Sequence, residues 1–497
     1  MHSLSVPVRL RPSLSALLLL AACSRGPRPS LVTPSSEPVR YLPERVALVM
    51  APHAEAEWRA LGNEAAQLLS QYLRIDNTNP PGNEVEAARW LARVLEREGI
   101  EARIFEPRPG KANLYARLRG DGSARPVVLL NHMDVVLASP EHWRVPPFSG
   151  AIRDGYVWGR GALDMKGQGI VQLMTLIIFK RAGIPLKRDL IFLANADEEV
   201  GRGVGAQWFL EQHGDLVRDA EFLINEGGTI RAGGGGGVEY VGIGTTEKSP
   251  FWLDVTARGT PGHGSRPTPD NPVHRLVRAL ERIAAYETPL VVTPTVERYF
   301  SDLARMERDS VRRRWYGDIR TALRDPVAAR AITTDLNYNA ILRNTIAVTG
   351  LQASEKTNVI PPTATAAVDV RLLPGQEPKA FLAELVRAVG DTDVTITPQG
   401  VNWSATESPA ATELYRAVVD AAKALAPDAP VTSIMLAGFT DSHYFRRVGI
   451  ASYGVSPFPL TAEESRGVHG NDERVSLAAL TFGVRFFYEI VNRVAAR

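Results

Sequence analysis

The fold is decided by the stretch Val127-Val128-Leu129-Leu130-Asn131-His132-Met133-Asp134. Its first four residues form a short apolar run, which predicts a β-strand. A histidine follows closely, and in open α/β sheets the carboxyl ends of the strands form the crevice in which ligands bind. We therefore expect His132 to point into a binding crevice. Asp134, two residues later, is placed to accept a hydrogen bond from the imidazole and so to fix its tautomer.

Short apolar runs and segments of helical periodicity alternate along the chain around this stretch. Strands are predicted at residues 113–118, 126–130, 190–193, 221–224 and 238–243, and helices at residues 55–72, 85–95, 170–182 and 205–213. Strands that alternate with helices predict the α/β class. We expect a mixed central sheet with helices on both faces.

The chain has 497 residues, which is too many for one ordinary core, so two domains are expected. Near Glu247 the pattern changes to two strand–helix units, which suit a small α+β domain inserted into the larger one. The predicted parts are a signal peptide at 1–23, a tether at 24–44, a larger domain at 45–246 and 391–497, an inserted domain at 247–390, and within it a charged helical elaboration at 296–343. The last helix is predicted from about 474 to 494.

The first 23 residues predict export. Arg9 and Arg11 precede the apolar run at 14–22, which is too short to span a bilayer and is typical of a secretory signal. The run ends at Cys23, the only cysteine, in a segment similar to the lipobox of bacterial lipoproteins. The alternative is an ordinary signal peptide with a chance cysteine. We expect a protein on the periplasmic side of a bacterial membrane, touching that membrane only through a lipid anchor at Cys23.

The composition is that of a soluble globular protein, with 44% hydrophobic and 23% charged residues. Lys and Arg total 57 against 55 for Asp and Glu. This near balance offers no electrostatic reason to expect a nucleic acid as partner, and none is predicted.

Four further segments place acids or a histidine at predicted strand ends or in loops. They are Gly161-Ala162-Leu163-Asp164, Asp197-Glu198-Glu199, Asn225-Glu226-Gly227 and Gly467-Val468-His469. Each segment alone has an ordinary explanation: a turn with a solvated acid, an acidic loop, a polar turn or a helix-capping loop. Three consecutive acids at a strand end repel one another, however, so a cation or protons must hold them together.

Together with His132, these segments supply two imidazoles and several carboxylates, a donor set that suits zinc with an open coordination position. Asp164, Glu199 and Glu226 contribute three negative charges, and a hydroxide would contribute a fourth. Two divalent cations balance that total, whereas one would leave uncompensated acid in a cleft. We therefore expect two Zn²⁺ ions per subunit, for which Co²⁺ or Mn²⁺ can substitute.

In order and spacing, the motifs resemble those of the zinc amidohydrolases that include acetylornithine deacetylase, succinyl-diaminopimelate desuccinylase, aminoacylase, glutamate carboxypeptidase and carboxypeptidase S. The resemblance extends from about Trp58 to the C-terminus and is most specific from His132 to Gly167. Gly438-Phe439-Thr440-Asp441 is similar to a Gly-Thr-Asp segment that lines the site in that family, with Phe439 as an interruption. The chain looks closest to the carboxypeptidase S-like branch. The resemblance implies a zinc-exopeptidase-like catalytic domain.

The resemblance also implies which residues bind metal. His132 and Glu226 would bind one zinc, at a position where many members carry Asp in place of Glu. Glu199 and His469 would bind the other zinc. Asp164 would bridge the two ions, and the peptide bond that follows it would be cis, as is common in that family.

The remaining implied roles concern catalysis and the substrate. Glu198 would be the general base that takes a proton from the metal-activated water and passes it to the leaving amine, and Asp134 would orient the neighbouring imidazole. In the inserted domain, His263 would stabilise the oxyanion, in many members from the partner subunit. Asn358 and Arg371 match substrate-side segments. Arg371 would grip a substrate carboxylate with its guanidinium fork, or else form an ion pair on the lid surface.

These features predict a di-zinc hydrolase that cleaves the amide bond of small peptides or N-acyl amino acids with a free carboxylate. Export favours this over a biosynthetic deacylase, because lysine and arginine biosynthesis occur in the cytoplasm. One alternative is a catalytically inactive lipoprotein that binds through the same fold; the complete set of ligands and base argues against it. Another is a purely structural metal site, but such zinc sites are usually rich in cysteine. A homodimer through the inserted domain is the family pattern, whereas residues 296–343 could instead cap a monomer.

Overall fold

The computed structural model describes residues 42–497 except residues 49, 202, 234–236 and 401–403. Cys23, the predicted signal peptide and most of the predicted tether lie outside the described residues. Within the described part of the chain, no helix is both long enough and apolar enough to cross a bilayer.

Up to residue 247 the described chain alternates strands with helices, with short 3₁₀ turns at Pro140–His142 and Gly214–Leu216. The strands and helices are α1 (Glu55–Leu73), α2 (Glu84–Arg97), β1 (Ala102–Arg108), β2 (Lys111–Leu118), β3 (Val127–His132), β4 (Ile152–Arg153), β5 (Tyr156–Trp158), α3 (Lys166–Ala182), β6 (Leu190–Asn195), α4 (Ala206–His213), β7 (Phe222–Asn225), β8 (Thr229–Ala232) and β9 (Val238–Glu247).

The rest of the chain passes through a helix-rich segment and then returns to strands and helices. Its elements are β10 (Ser249–Pro250), β11 (Leu253–Arg258), β12 (Gly262–His263), α5 (Pro272–Ala285), α6 (Pro294–Met306), α7 (Ser310–Gly317), α8 (Ile319–Ala322), α9 (Pro326–Thr333), α10 (Leu336–Leu342), β13 (Thr345–Gln352), β14 (Val359–Ile360), β15 (Thr363–Leu372), α11 (Pro378–Val389), β16 (Val394–Pro398), α12 (Glu413–Leu425), β17 (Val431–Leu436), α13 (Ser442–Arg447), β18 (Ala451–Gly454), β19 (Pro459–Leu460), α14 (Ala462–Ser465), β20 (Arg474–Ser476) and α15 (Leu477–Ala495).

The described residues form one large sheet of ten strands, in the order β1-β2-β6-β3-β7-β18-β9-β8-β19, with β17 paired to β9. Strand β3 runs parallel to β6 and β7, and β18 runs parallel to β7. Strands β1 and β2 are antiparallel to each other, and β2 is antiparallel to β6. The predicted mixed sheet is therefore confirmed, and the carboxyl ends of β3, β6, β7 and β18 meet at one edge.

Strand β3 shows how both faces of this sheet are covered. Val127 and Leu129 belong to a core that includes residues of α1, α3 and α15. Val128 and Leu130 belong to a second core with residues of α4 and α13. Successive side chains of a strand point to opposite faces, so a short apolar run contributes to both cores. The side chains at the end of β3 thus project from an element that is packed on both sides.

A second sheet has the order β10-β15-β11-β16, with β13 paired to β15, and its described pairings are all antiparallel. Strand β15 alternates buried and half-buried residues along its length, and its buried face packs with residues of α5 and α11. This is an α+β layer of the kind predicted for the inserted segment. The domain boundaries drawn at residues 247 and 390 remain predictions.

Helices α6 to α10 form the helical elaboration expected from the charged sequence. Several of them begin at a residue whose side chain accepts a main-chain N–H of the first turn: Thr293, Asp309, Asp325 and Asp335. Such caps satisfy donors that a helix leaves unpaired at its start. The helices share a small core, built around Val296 and Phe300, so this segment is packed as well as capped.

The last helix begins three residues later than predicted. Arg474–Ser476 forms β20, which pairs antiparallel with β5. The Ser476 side chain accepts the main-chain N–H of Ala479, so α15 starts at Leu477. The pairing of β20 with β5 is a long-range contact, which local periodicity does not reveal. It also joins the chain just before Asp164 to the chain just after His469.

Candidate metal centre

The loops at the carboxyl edge of the large sheet bring together every side chain predicted to bind metal. His132 ends β3, and Glu199 and Glu226 follow β6 and β7. Asp164 lies in the loop before α3, and His469 lies in the loop before β20. His132 is itself the last residue of β3, so the predicted strand extends to the histidine.

The Asp164 carboxylate lies between the two imidazoles. Its Oδ1 is 3.2 Å from Nε2 of His132, and its Oδ2 is 3.0 Å from Nε2 of His469. On the first side, Glu226 Oε1 lies 3.5 Å from the His132 nitrogen. On the second side, Glu199 Oε2 lies 3.2 Å from the His469 nitrogen. Two three-residue sets therefore share one carboxylate, with one of its oxygens facing each set.

Glu198, the predicted general base, belongs to the same cluster. One oxygen of Glu198, one oxygen of Glu226 and a ring nitrogen of His132 lie within 4.8 Å of one another. His132, Asp164 and Glu199 form a second group with the same spread of ligand atoms. The predicted base and the predicted ligands are thus neighbours in space.

His132 was predicted to donate a hydrogen bond to the Asp134 carboxylate, but its acceptor is the main-chain oxygen of Asp134. His132 Nδ1 lies 3.0 Å from the main-chain oxygen of Asp134 and 3.6 Å from its carboxylate. With Nδ1–H donating to that carbonyl, the neutral ring presents Nε2 as the ligand atom. The Asp134 carboxylate instead accepts the main-chain N–H groups of Glu198 and Glu199, each at 3.2 Å. It therefore positions the loop that carries the base.

The electrostatics of the cluster are those of crowded acids. Burial raises the pKa of Glu198 well above its usual range, and the charge of Glu226 adds to the effect. Burial acts in the same direction on the pKa of Glu226, with a further contribution from Asp164. Hydrogen bonds to Asp164 and then to Glu199 raise the pKa of His469 to about 10. Acids that raise one another's pKa in a buried place favour a bound cation.

The donor set fits two divalent cations. His132, Glu226 and Asp164 would hold one, and His469, Glu199 and Asp164 would hold the other. Imidazole nitrogens and carboxylate oxygens are the ligands of open zinc sites. The peptide bond after Asp164 is cis, as the resemblance implied. The side chain of His469 is 54% exposed, so the centre opens to solvent on that side.

Glu473, to which no role was assigned from sequence, holds the Asp164 loop in place. It is 0% exposed, forms an ion pair with the buried Arg160 at 2.7 Å and accepts three main-chain N–H groups at 2.7–3.0 Å, those of Gly161, Leu163 and Asp164. Arg160 also donates to the carbonyl of Gly470, the residue after His469, at 2.7 Å. The pair therefore connects the loops that carry the bridging acid and the second histidine. The sequence did contain a signal for this pair, because Arg160 lies four residues before Asp164 and Glu473 lies four residues after His469.

A buried polar network lies behind the loop of acids. Asn79 donates to the carboxylates of Asp134 and Asp197 at 2.8 and 3.0 Å. Lys111 donates to Asp197 at 3.1 Å and to Glu84 at 2.9 Å. Asp197, the first of the three consecutive acids, is therefore neutralised by a lysine, unlike the two acids that follow it. No local pattern links these residues, because they come from four separate segments of the chain.

His263 and Asn358 lie together on a different part of the structure, the two-stranded sheet of β12 and β14. His263 pairs with Val359 in that sheet, and the Gly264 N–H donates to the Asn358 carbonyl at 2.8 Å. His263 is exposed, and its Nδ1 accepts the main-chain N–H of Ser265 at 3.1 Å. The neutral ring therefore carries its proton on Nε2, where it can donate to a substrate.

Arg371 has an internal partner. It donates to both oxygens of Asp369, at 2.8 and 3.1 Å, from its place on β15. Its guanidinium also lies over the Trp252 ring, 5.8 Å from the centroid. This arrangement is the ion pair considered from sequence. The binding of a substrate carboxylate by Arg371 remains a prediction.

The Gly438–Asp441 segment borders the candidate centre. Thr440 donates to the buried Glu247 at 2.8 Å, and Glu247 pairs with Arg446 at 2.8 Å. Asp441 is buried, which raises its pKa to about 7, and its charge in turn raises the pKa of Glu198. The segment thus lies beside the cluster despite the interruption at Phe439.

Known proteins are similar to this chain in sequence and in fold. The model of peptidase family M20/M25/M40 matches residues 128–493. The N-fatty-acyl-amino acid synthase/hydrolase PM20D1 of Xenopus tropicalis is 31% identical over 386 residues, which cover 77% of this chain and 75% of that protein. Aminoacylase-1 of Sus scrofa is 26% identical over 446 residues, covering 86% and 95% of the two chains.

Among solved structures, the M20 family metallo-carboxypeptidase Sso-CP2 from Sulfolobus solfataricus superposes with a TM-score of 0.67. The match covers 87% of this chain and 99% of that one, at 19% identity. At this level of identity the likeness concerns the fold.

Proposed function

The chain belongs to peptidase family M20/M25/M40, and from that membership we propose that it is a di-metal hydrolase of the carboxypeptidase or aminoacylase type. It is an enzyme that hydrolyses amide bonds. In this proposal the substrates are small peptides or N-acyl amino acids with a free carboxylate. One observation carries the proposal: the Asp164 carboxylate lies between two imidazoles, with a further carboxylate beside each of them.

The proposed cofactor is a pair of zinc ions, for which cobalt or manganese can substitute. Asp164 would bridge them, with one imidazole and one further carboxylate on each side. When bound, such ions lower the pKa of a shared water toward roughly 7 and polarise the substrate carbonyl. The N–H groups held by Glu473 fix the loop in which the bridging carboxylate lies.

The chain's own residues carry the proton and stabilise charge. Glu198 takes a proton from the attacking water and delivers it to the departing amine. The Asp134 carboxylate keeps Glu198 in position through the main-chain N–H of that residue. His263 donates from Nε2 to the oxygen of the tetrahedral intermediate, from the same chain or from a partner subunit across a homodimer. Asn358 and Arg371 are the proposed substrate-side groups.

The test is hydrolysis of a panel of dipeptides and N-acyl amino acids by the purified protein. The enzyme is stripped with a chelator, dialysed and then titrated with zinc, cobalt or manganese. We expect activity to disappear on stripping and to return at two metal equivalents per chain. Two bound metals without hydrolysis of any amide would favour the inactive binding protein. No bound metal and no hydrolysis would refute the proposal.

The same proposal includes export and an anchor. Its support is the pattern of residues 1–23, and Cys23 is the proposed site of lipid attachment. Expression of wild type and Cys23→Ser in a bacterium fed a labelled fatty acid tests it: label and membrane association should appear only with the cysteine.

Light scattering of the purified protein distinguishes the proposed homodimer from a monomer.

A further inference from the structure

A large cavity lies between the helical segment α6–α10 and the edge of the large sheet. Its volume is about 1230 Å³. The wall on the sheet side comes from β8, β9 and β17 and includes Thr229, Tyr240 and Met435. The opposite wall comes from α6, α7 and α10 and includes Tyr299, Tyr316 and Tyr338. Pockets for small ligands usually measure about 300–1,000 Å³. The cavity therefore has room for more than one amino-acid residue.

One end of the cavity lies close to the candidate metal centre. Thr229, which lines the cavity, comes three residues after Glu226. Arg466, which also lines it, comes three residues before His469. Three residues of fully extended chain span at most about 11 Å, so both lining residues lie within that distance of a predicted ligand. The cavity therefore adjoins the loops that carry two of the predicted ligands.

Three tyrosine rings lie in the helical wall. The Tyr338 ring lies 6.3 Å from the Tyr299 ring and 5.9 Å from the Tyr316 ring, with both pairs in edge-to-face geometry. Tyr240 lines the opposite wall. Rings fixed in this way offer faces and edges to another ring. The lining also contains four arginines and four acids, so it is polar and balanced in charge.

We propose that this cavity binds the acyl-side part of the substrate, and that this part is a peptide with an aromatic side chain. The inference rests on the proposed function: because the amino acid that is released carries the free carboxylate, the main chain of the substrate can continue only on the acyl side. Peptide groups both donate and accept hydrogen bonds, as the charged and hydroxyl groups of the lining require. A long alkyl chain would remove those groups from water without pairing them, which is unfavourable.

Four substrates that release the same amino acid test the proposal: N-acetyl-leucine, triglycyl-leucine, tyrosyl-glycyl-glycyl-leucine and N-hexadecanoyl-leucine. For the wild-type holoenzyme we expect the highest kcat/KM for the tyrosyl peptide. The ring should add about tenfold over triglycyl-leucine, which is the upper end of what one aromatic pair contributes.

Two variants alter the cavity by different routes. Tyr240→Leu removes a ring and its hydroxyl from the sheet wall, and Leu303→Trp places an indole in the cavity from α6. Tyr286→Leu is the matched control, since Tyr286 is a half-buried tyrosine at the end of α5 whose hydroxyl donates to Glu384 outside the cavity. Both cavity variants should lose the advantage of the tyrosyl peptide and keep N-acetyl-leucine hydrolysis within about twofold. The control should change neither.

Binding measured without turnover separates this inference from the proposed function. Calorimetry with tyrosyl-glycyl-glycine, the acyl-side product, should show binding to wild type and at least about tenfold weaker binding to Leu303→Trp. That result supports the cavity assignment even if no amide is hydrolysed. The assignment is overturned if N-hexadecanoyl-leucine is the best substrate and loses most in the variants. It is equally overturned if neither variant changes peptide hydrolysis or product binding.

Discussion

At the scale of single residues, the candidate centre depends on how Asp164 is held. Its two oxygens face two imidazoles from distant loops, at 3.2 and 3.0 Å. The two imidazoles lower the pKa of Asp164, although burial acts the other way. Its own N–H is bound by Glu473 at 3.0 Å. An ionised carboxylate fixed at both its backbone and its oxygens is suited to bridge two cations.

Replacing the proposed base tests the assignment of Glu198. Glu198→Gln keeps the size of the side chain but removes its ability to accept a proton. We expect both metals to stay bound and kcat to fall by about 10²–10⁴, the usual contribution of a positioned acid–base group. Metal content by mass spectrometry and turnover of the best panel substrate are the two measurements. Wild-type turnover in this variant would show that another group is the base.

Replacing Glu473 tests the clamp between the two metal loops. In Glu473→Gln an amide –NH₂ replaces one carboxylate oxygen. Both oxygens of Glu473 accept main-chain N–H groups, so in either orientation of the amide its –NH₂ faces another donor. Arg160 also loses its buried counter-charge. Breaking a buried pair costs about 3–5 kcal/mol, so denaturant unfolding should show a loss of that order, together with weaker zinc binding.

The matched control is Glu463→Gln, which neutralises an exposed acid paired with Arg474 at 2.9 Å, near the same loop. Exposed pairs of this kind contribute little. Stability and zinc affinity should therefore stay close to wild type. If Glu473→Gln behaves like this control, the clamp has no energetic role.

At the scale of elements, the site is built from the ends of strands. β3, β6 and β7 are packed on both faces and end at the same edge, so the loops that follow them are brought close to one another. Two further loops are tied to each other by the pairing of β5 with β20, in a separate three-stranded sheet. The helices α6–α10 contribute one wall of the cavity beside it. The proposed oxyanion and substrate groups come from other sheets: His263 lies in β12, Asn358 directly precedes β14, and Arg371 lies in β15.

The role of the two-stranded sheet of β12 and β14 is tested by His263→Ala. His263 is exposed, and its ring contacts Ser265 of the same loop, so its removal should leave folding and zinc content unchanged. Loss of one oxyanion donor lowers kcat by about 10²–10³. Turnover should therefore fall while the zinc content stays at two per chain. Loss of metal from this variant would mean that the histidine belongs to the centre and not to the substrate side.

At the scale of the whole molecule, metal binding is coupled to stability. Burial and mutual repulsion raise the pKa values of Glu198, Glu226 and Glu199, so these acids oppose folding when they are charged and uncompensated. A cation that binds only the folded state stabilises it by about 2.7 kcal/mol at a hundredfold excess over its Kd. Two bound ions contribute about twice that, and because the unfolding entropy is about 1 kcal/mol/K for a chain of this length, zinc should raise the Tm of the stripped protein by about 5 °C.

Calorimetry with and without chelator measures that shift. Asp164→Asn, which weakens both sets at once, should reduce the shift to a small fraction of the wild-type value. An equal zinc effect in this variant would show that the stabilising ions bind elsewhere.

The sequence by itself determined the α/β class, most helices and strands, and the residues of the candidate centre. The class and the elements follow from local rules, because apolar runs predict strands and helical periodicity predicts helices. The residues of the centre were predicted from acids and histidines at strand ends or in loops, and their roles from the resemblance to the zinc amidohydrolases. Only the tertiary structure decided that Glu473 and Arg160 clamp the metal loops, that β20 precedes the last helix, and that a tyrosine-lined cavity adjoins the centre. Each of these depends on contacts between residues far apart in the chain. Periodicity and spacing predict the secondary structure of a segment. Which segments contact one another depends on packing and on the pairing of buried charges.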